Sequence, residues 1–170
     1  MAKVRHRPEI RFLVIFVMLL AISFTVIAVR QVNDAFVVPY TTMVARVSGT
    51  ALSILGEEIT VSGCDLRSPR FAVTIYNGCN GLITSLIVLS GILAYPAPRR
   101  AKLVGVVAGL SIIQIVNLIR IVSLYYIGAL MPEFFNASHI VVWQSMVILT
   151  GVVLWIVWAR WATATAEPAR

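Results

Sequence analysis

Tyr76-Asn77-Gly78-Cys79-Asn80-Gly81-Leu82 stands at a border in the chain. Charges of both signs precede it. An apolar run follows and lasts to Tyr95. The run ends at Pro96-Ala97-Pro98-Arg99-Arg100-Ala101-Lys102, where two prolines stop a helix beside a basic loop. Begun near Cys79, a helix here has about 17 residues, just enough to cross a bilayer core. As a span, this short run sets the number of crossings and the side on which every other segment falls.

Composition supports that reading. The chain has 170 residues, 59% of them hydrophobic and 12% charged, with a mean hydropathy of +0.92. A soluble domain of this size cannot bury so much apolar surface. The formal net charge of +7 invites a nucleic-acid reading, but the basic residues flank apolar runs, as the positive-inside rule expects. No aromatic-basic patch of the nucleic-acid kind is visible.

Working outward, the first span is residues 10–29, preceded by Lys3, Arg5 and Arg7. It is too long for a typical signal-peptide core and lacks a small-x-small cleavage site, which favours an uncleaved helix. The second span is 79–95, the third 103–128 and the fourth 139–159. The tail to Arg170 is small and polar. Four crossings place both termini and the Arg99-Arg100-Lys102 loop on one side, together with most of the Lys and Arg residues. The expected orientation has both termini in the cytoplasm of a bacterium, with the multi-pass chain in its inner membrane. Tyr125, Tyr126, Trp143, Trp155, Trp158 and Trp161 lie near span ends and suit interfacial belts, although Trp143 suits a core position equally. Gly105 and Gly109 permit close helix packing without fixing an oligomeric state.

The segment 30–78 is extracytoplasmic in this scheme. From Pro39 to Gly56 the spacing of Tyr40, Met43, Val44, Val47, Ala51, Ile54 and Leu55 predicts an amphipathic helix, either interfacial or packed on the bundle end. Residues 58–62 and 70–76 read as two strands of a short β-hairpin, the second leading into Cys79. The predicted fold class is an all-α polytopic membrane protein, one membrane domain over 1–170, with this helix and hairpin outside.

Cys79 falls at the outer end of the second span and His139 at the outer end of the fourth. Arg120 lies roughly 12 Å inside the outer end of the third, at 1.5 Å per residue. Each has a plain reading: a small buried thiol, a surface histidine, a snorkelling arginine. Each also has a chemical one. A guanidinium within a span usually pairs or functions, and a helix N-terminus favours a thiolate. Together they form a nucleophile, a base and an oxyanion stabiliser. Asn77 or Asn80 adds a polar contact, and Asn117 with Gln114 shares roughly the Arg120 face, to orient it, line a cavity or bond between helices.

Cys64 follows Val61-Ser62-Gly63, which looks like an acylation box, but no apolar segment adjoins it. A Cys64–Cys79 disulfide is the competing use of both thiols. Asn136-Ala137-Ser138 matches the glycosylation triplet and is set aside as a chance match.

The stretches Asn77-Gly78-Cys79-Asn80-Gly81-Leu82, Asn117-Leu118-Ile119-Arg120-Ile121 and His139-Ile140-Val141-Val142-Trp143 resemble those of the exosortase/archaeosortase family of polytopic membrane transpeptidases. Pro132-Glu133-Phe134-Phe135 before the histidine looks like the small bacterial branch called exosortase H. The resemblance covers roughly residues 35–160. Many relatives carry an acidic residue after the Cys-x-Gly-Leu unit, where this chain has Ile83. The resemblance implies a cysteine protease and transpeptidase that acts on secreted proteins ending in a short motif, a hydrophobic helix and a basic tail, and transfers them to a surface acceptor. It implies Cys79 as nucleophile, with Arg120 and His139 completing the site. No cofactor or metal is expected. Partners are such tailed proteins and membrane lipids, not nucleic acid. Two other readings stay open: a scaffold for substrate helices, which needs no thiol, and a lipid-headgroup binder, which needs Arg120 alone.

Overall fold

The computed structural model describes residues 8–165; the basic flank at Lys3, Arg5 and Arg7 and the end of the tail lie outside the described residues. Helix α1 is Pro8–Ala28. The short α2 (Arg30–Val32) and a π-helical stretch Asn33–Val37 lead into α3, Val38–Ile54. Three strands follow, and then α4 (Leu82–Ala94) and α5 (Arg99–Leu130). A 3-10 turn Pro132–Phe134, the short α6 (Phe135–Ala137) and a π-helical stretch Ser138–Trp143 run into α7, Gln144–Ala164.

Among the described residues, three helical stretches are long and apolar enough to cross a membrane: Pro8–Ala28, Arg99–Leu130 and Pro132–Ala164. The fourth apolar helix, α4, is shorter at 13 residues and begins at Leu82 rather than at Cys79. It touches α1, α5 and α7, so it forms the middle of the bundle. The helices follow membrane logic. Helix α1 buries none of its side chains and exposes Leu13, Val14, Val17, Met18 and Ile22, which lipid tolerates as readily as a protein interior does. Helix α5 turns Ala101, Gly105, Gly109, Ile113, Asn117, Arg120 and Leu124 inward, a stripe of mostly fourth residues.

The Gly105 site is filled within the chain: a Cβ there would collide with the Trp158 indole. Trp158 donates its Nε1–H to the Ala101 carbonyl at 2.8 Å. Trp158 and Tyr125 therefore do not sit in an interfacial belt. They are 8% and 0% exposed, because an intramolecular partner satisfies each polar tip.

The predicted helix at 39–56 is present as α3, with a different inward face. Thr41, Val44, Ala45, Ser48, Gly49 and Leu52 are buried, while Met43, Val47, Ile54 and Leu55 face out. Small residues let α3 approach the sheet closely. At Gly49 the Val61 side chain leaves no room for a Cβ.

The expected two-strand hairpin is a three-stranded antiparallel sheet in the order β1 (Thr60–Ser62), β2 (Asp65–Arg67), β3 (Ala72–Thr74). Ser62 pairs with Asp65 across the two-residue turn Gly63-Cys64. Gly63 takes φ +61° and Cys64 stays out of the left-handed region, the pattern of a type II′ turn with glycine first. The sheet rests on α5 through Tyr125, whose hydroxyl lies 3.0 Å from Glu57 Oε2 and 2.7 Å from Ser68 Oγ. The Phe71 ring occupies the space above Gly128.

Candidate active site

The chain between β3 and α4 makes a tight turn in which the Cys79 N–H donates to the Tyr76 carbonyl at 2.8 Å. Asn80 then fastens the turn. It is fully buried. Its Nδ2 donates to Thr41 Oγ1 at 2.8 Å, and its Oδ1 accepts the Leu82 N–H at 3.0 Å. Its carbonyl accepts from the Tyr40 hydroxyl at 3.3 Å. One side chain thus ties α3 to the first residue of α4 and leaves Cys79 at the mouth of the turn. Gly81 follows with φ +77°, against Gln114 and Asn117 of α5; a Cβ there would lie 2.9 Å from Gln114 Nε2.

Three side chains from three separate elements meet at the Cys79 sulfur. His139 Nε2 lies 2.9 Å from Sγ. The Arg120 terminal nitrogen approaches Sγ at 3.8 Å. Arg120 is 2% exposed, so it points into the bundle and does not snorkel. Among the described residues no carboxylate lies within ion-pairing distance of it, and its Nε has no hydrogen-bond partner. His139 belongs to the π-helical stretch ahead of α7, where Phe135 stacks on its ring at 6.0 Å and 12°. A π turn holds one more residue than an α turn, which re-aims what precedes it relative to the rest of the helix.

Cys79 lies in the turn outside α4. Burial raises its thiol pKa, and the Arg120 charge partly offsets that. The His139 imidazole is within reach of the thiol proton. In chemical terms the arrangement offers a nucleophile, a base in hydrogen-bond contact with it, and a desolvated cation on the same atom.

A cavity of about 230 Å³ opens beside the sulfur, lined by residues 71–76, by Ile121 and Leu124, and by Phe135 and His139. A slightly larger apolar groove of about 260 Å³, lined by residues such as Phe12, Phe16 and Trp155, lies at the level of the bundle and contains none of these groups.

The other predicted residues separate. Asn80 is a clamp with its amide turned away from the sulfur. Asn117 is 1% exposed and packs against Gly81; among the described residues neither its Oδ1 nor its Nδ2 has a partner. Asn77 is exposed on the turn. Both cysteines are free, and Cys64 Sγ lies 3.7 Å from Thr42 Oγ1 instead of pairing with Cys79. Phe135, which lines the cavity, is not among the expected site residues. The doublet Phe134-Phe135 just ahead of His139 was the available signal. Among the described residues no three His, Cys, Asp or Glu side chains gather as metal ligands would.

The family described as transmembrane exosortase (Exosortase_EpsH) matches residues 8–143. No curated protein and no solved structure matches the chain. The match takes in Cys79, Arg120 and His139 and most of the sequence, and the chain belongs to the transmembrane exosortase family.

Proposed function

We propose that this member of the transmembrane exosortase family is a membrane-embedded cysteine transpeptidase. It cleaves a C-terminal sorting signal from secreted proteins and passes them to a surface acceptor. The observation that carries the reading is the 2.9 Å contact between Cys79 Sγ and His139 Nε2, made between residues far apart in sequence, with the buried Arg120 on the same sulfur.

The step runs as follows. His139 takes the thiol proton as Sγ bonds to the carbonyl carbon, and the carbonyl oxygen becomes an oxyanion. Arg120 faces that oxygen from a site shielded from water, where a fixed charge is worth most. When the C–N bond breaks, His139 returns the proton to the departing amine. The thioester left on Cys79 is then attacked by an acceptor nucleophile, or by water, which restores the thiol. The burial of Arg120 supports this role over headgroup binding, for which the guanidinium would have to reach the interface. In the proposed topology both termini are cytoplasmic and the site lies at the outer face of a bacterial inner membrane.

The test is processing in cells of a secreted protein that carries a motif, helix and basic tail. Cys79→Ala and Cys79→Ser should each stop maturation and accumulate precursor, with normal amounts of the variant in the membrane. Continued maturation without the thiol would leave only a scaffold role.

A further inference from the structure

The last strand before the nucleophile has one free edge. In the sheet order β1-β2-β3 only β2 neighbours β3. The register pairs Leu66 with Val73, the Ile75 N–H donates to the Cys64 carbonyl, and the Ser68 N–H donates to the Phe71 carbonyl. Hydrogen-bonded pairs alternate along an antiparallel ladder, so Phe71, Val73 and Ile75 spend their backbone groups on β2. Ala72 and Thr74 therefore turn both N–H and C=O outward. Tyr76 turns its N–H outward, its carbonyl being held by Cys79.

Those outward groups meet the catalytic cavity. Every residue from Phe71 to Tyr76 lines it. A cavity above a sheet face touches alternate residues, because successive side chains point to opposite faces; one that touches all of them lies against an edge. The same cavity is lined by Ile121, Leu124, Phe135 and His139, and it reaches Cys79 and Arg120.

We infer that the substrate's sorting motif binds as a fourth strand on the β3 edge, parallel to β3. This rests on the transpeptidase reading above. What complements unpaired donors and acceptors at strand spacing is another extended backbone. The direction follows from the bundle. Strand β3 runs toward Cys79, and α4 then enters the apolar bundle. A substrate whose hydrophobic helix follows the cut site must approach the sulfur with its C-terminal side toward the membrane, so its preceding residues run alongside β3 in the same sense. The paired stretch spans roughly 10 Å, or about three residues at 3.3 Å each. Alternate side chains of the motif then face Ile121 and Leu124, which selects for an apolar residue at every second position.

Two experiments on the full chain in membranes test this, using the precursor that accumulates with Cys79→Ala. Ala72→Pro removes an outward N–H and leaves the β2 ladder intact, as edge prolines do. It should slow processing at least about tenfold while the iodoacetamide reactivity of Cys79 stays within about twofold. Wild-type processing by Ala72→Pro overturns strand docking and leaves the transpeptidase reading standing; processing that survives Cys79→Ala removes the transpeptidase reading itself. The second experiment is independent of turnover. In a Cys64→Ser, Cys79→Ala background, Thr74→Cys and Ala72→Cys are each oxidised against single cysteines placed along the precursor's motif. Cross-links should recur with a period of two, and Ala72→Cys should reach positions farther from the cut site than Thr74→Cys does. Uniform cross-linking, or the reverse order, overturns the proposal.

Discussion

The two halves of α5 use one inward stripe for opposite ends. In the first half Ala101, Gly105, Gly109 and Ile113 turn inward, and the polar group that meets Gly105, the Trp158 indole, is bonded to the Ala101 carbonyl. In the second half the stripe carries Asn117 and Arg120. Both are almost fully buried, yet Asn117 Oδ1, Asn117 Nδ2 and Arg120 Nε have no partner. Unmet polar groups in an apolar surround cost about 1–3 kcal/mol each. The first half is built for packing. The second buries polar groups that packing leaves unpaired, which on the proposed mechanism meet charge that develops with a substrate present.

The largest effect expected from breaking this contrast is at Arg120. Arg120→Lys keeps the charge but loses the planar fork. Processing should fall by about 10²–10³, as for loss of an oxyanion donor, with the variant's membrane level unchanged. Near-normal processing would reduce Arg120 to a simple charge.

Next comes the join between the halves and the nucleophile. Gly81→Ala puts a side chain at φ +77° and pushes on Gln114 and Asn117. Processing should drop about tenfold, with a left-handed backbone cost of about 1–2 kcal/mol; iodoacetamide labelling of Cys79 should change as the turn moves. In the packing half, Gly105→Ala displaces Trp158. It should lower stability by about 1–3 kcal/mol, read as an earlier thermal transition in detergent. Cys79 labelling below that transition should stay unchanged. A loss of labelling there would show that the two halves are not independent.

The smallest effect is on proton affinity. Burial raises the Cys79 pKa and Arg120 lowers it in part. Alkylation needs the thiolate, so its rate should rise through a midpoint above that of an ordinary thiol. Arg120→Gln removes the lowering influence and should move the midpoint to still higher pH. A shift to lower pH would contradict the assigned contact.

Much of this was readable from residue order. The apolar runs announced the bundle because lipid demands unbroken apolar length. Cys79, Arg120 and His139 stood out because each is expensive or reactive where it stands. What escaped depended on partners far away in the chain. Asn80 beside a reactive cysteine looks like a site residue, and only Thr41 and Leu82 make it a clamp. Asp65–Arg67 was missed as a strand because three polar-flanked residues carry no periodicity. The inward face of α3 is shifted around the helix, keeping Val44 but turning Met43 and Val47 outward, because apolar side chains need not be buried next to lipid. The π turn at Ser138–Trp143 has no composition of its own. The resemblance read from the three short stretches agrees with the family match over residues 8–143.

In the proposed chemistry Cys79 takes the substrate into a covalent bond. The direct measurement is the intact mass of the purified protein after incubation with a tailed substrate, with and without hydroxylamine. The expected result is an adduct on Cys79 equal to the cleaved N-terminal fragment, released by hydroxylamine and absent from Cys79→Ala. Substrate cleavage with no adduct on Cys79, or an adduct that persists in Cys79→Ala, would contradict it.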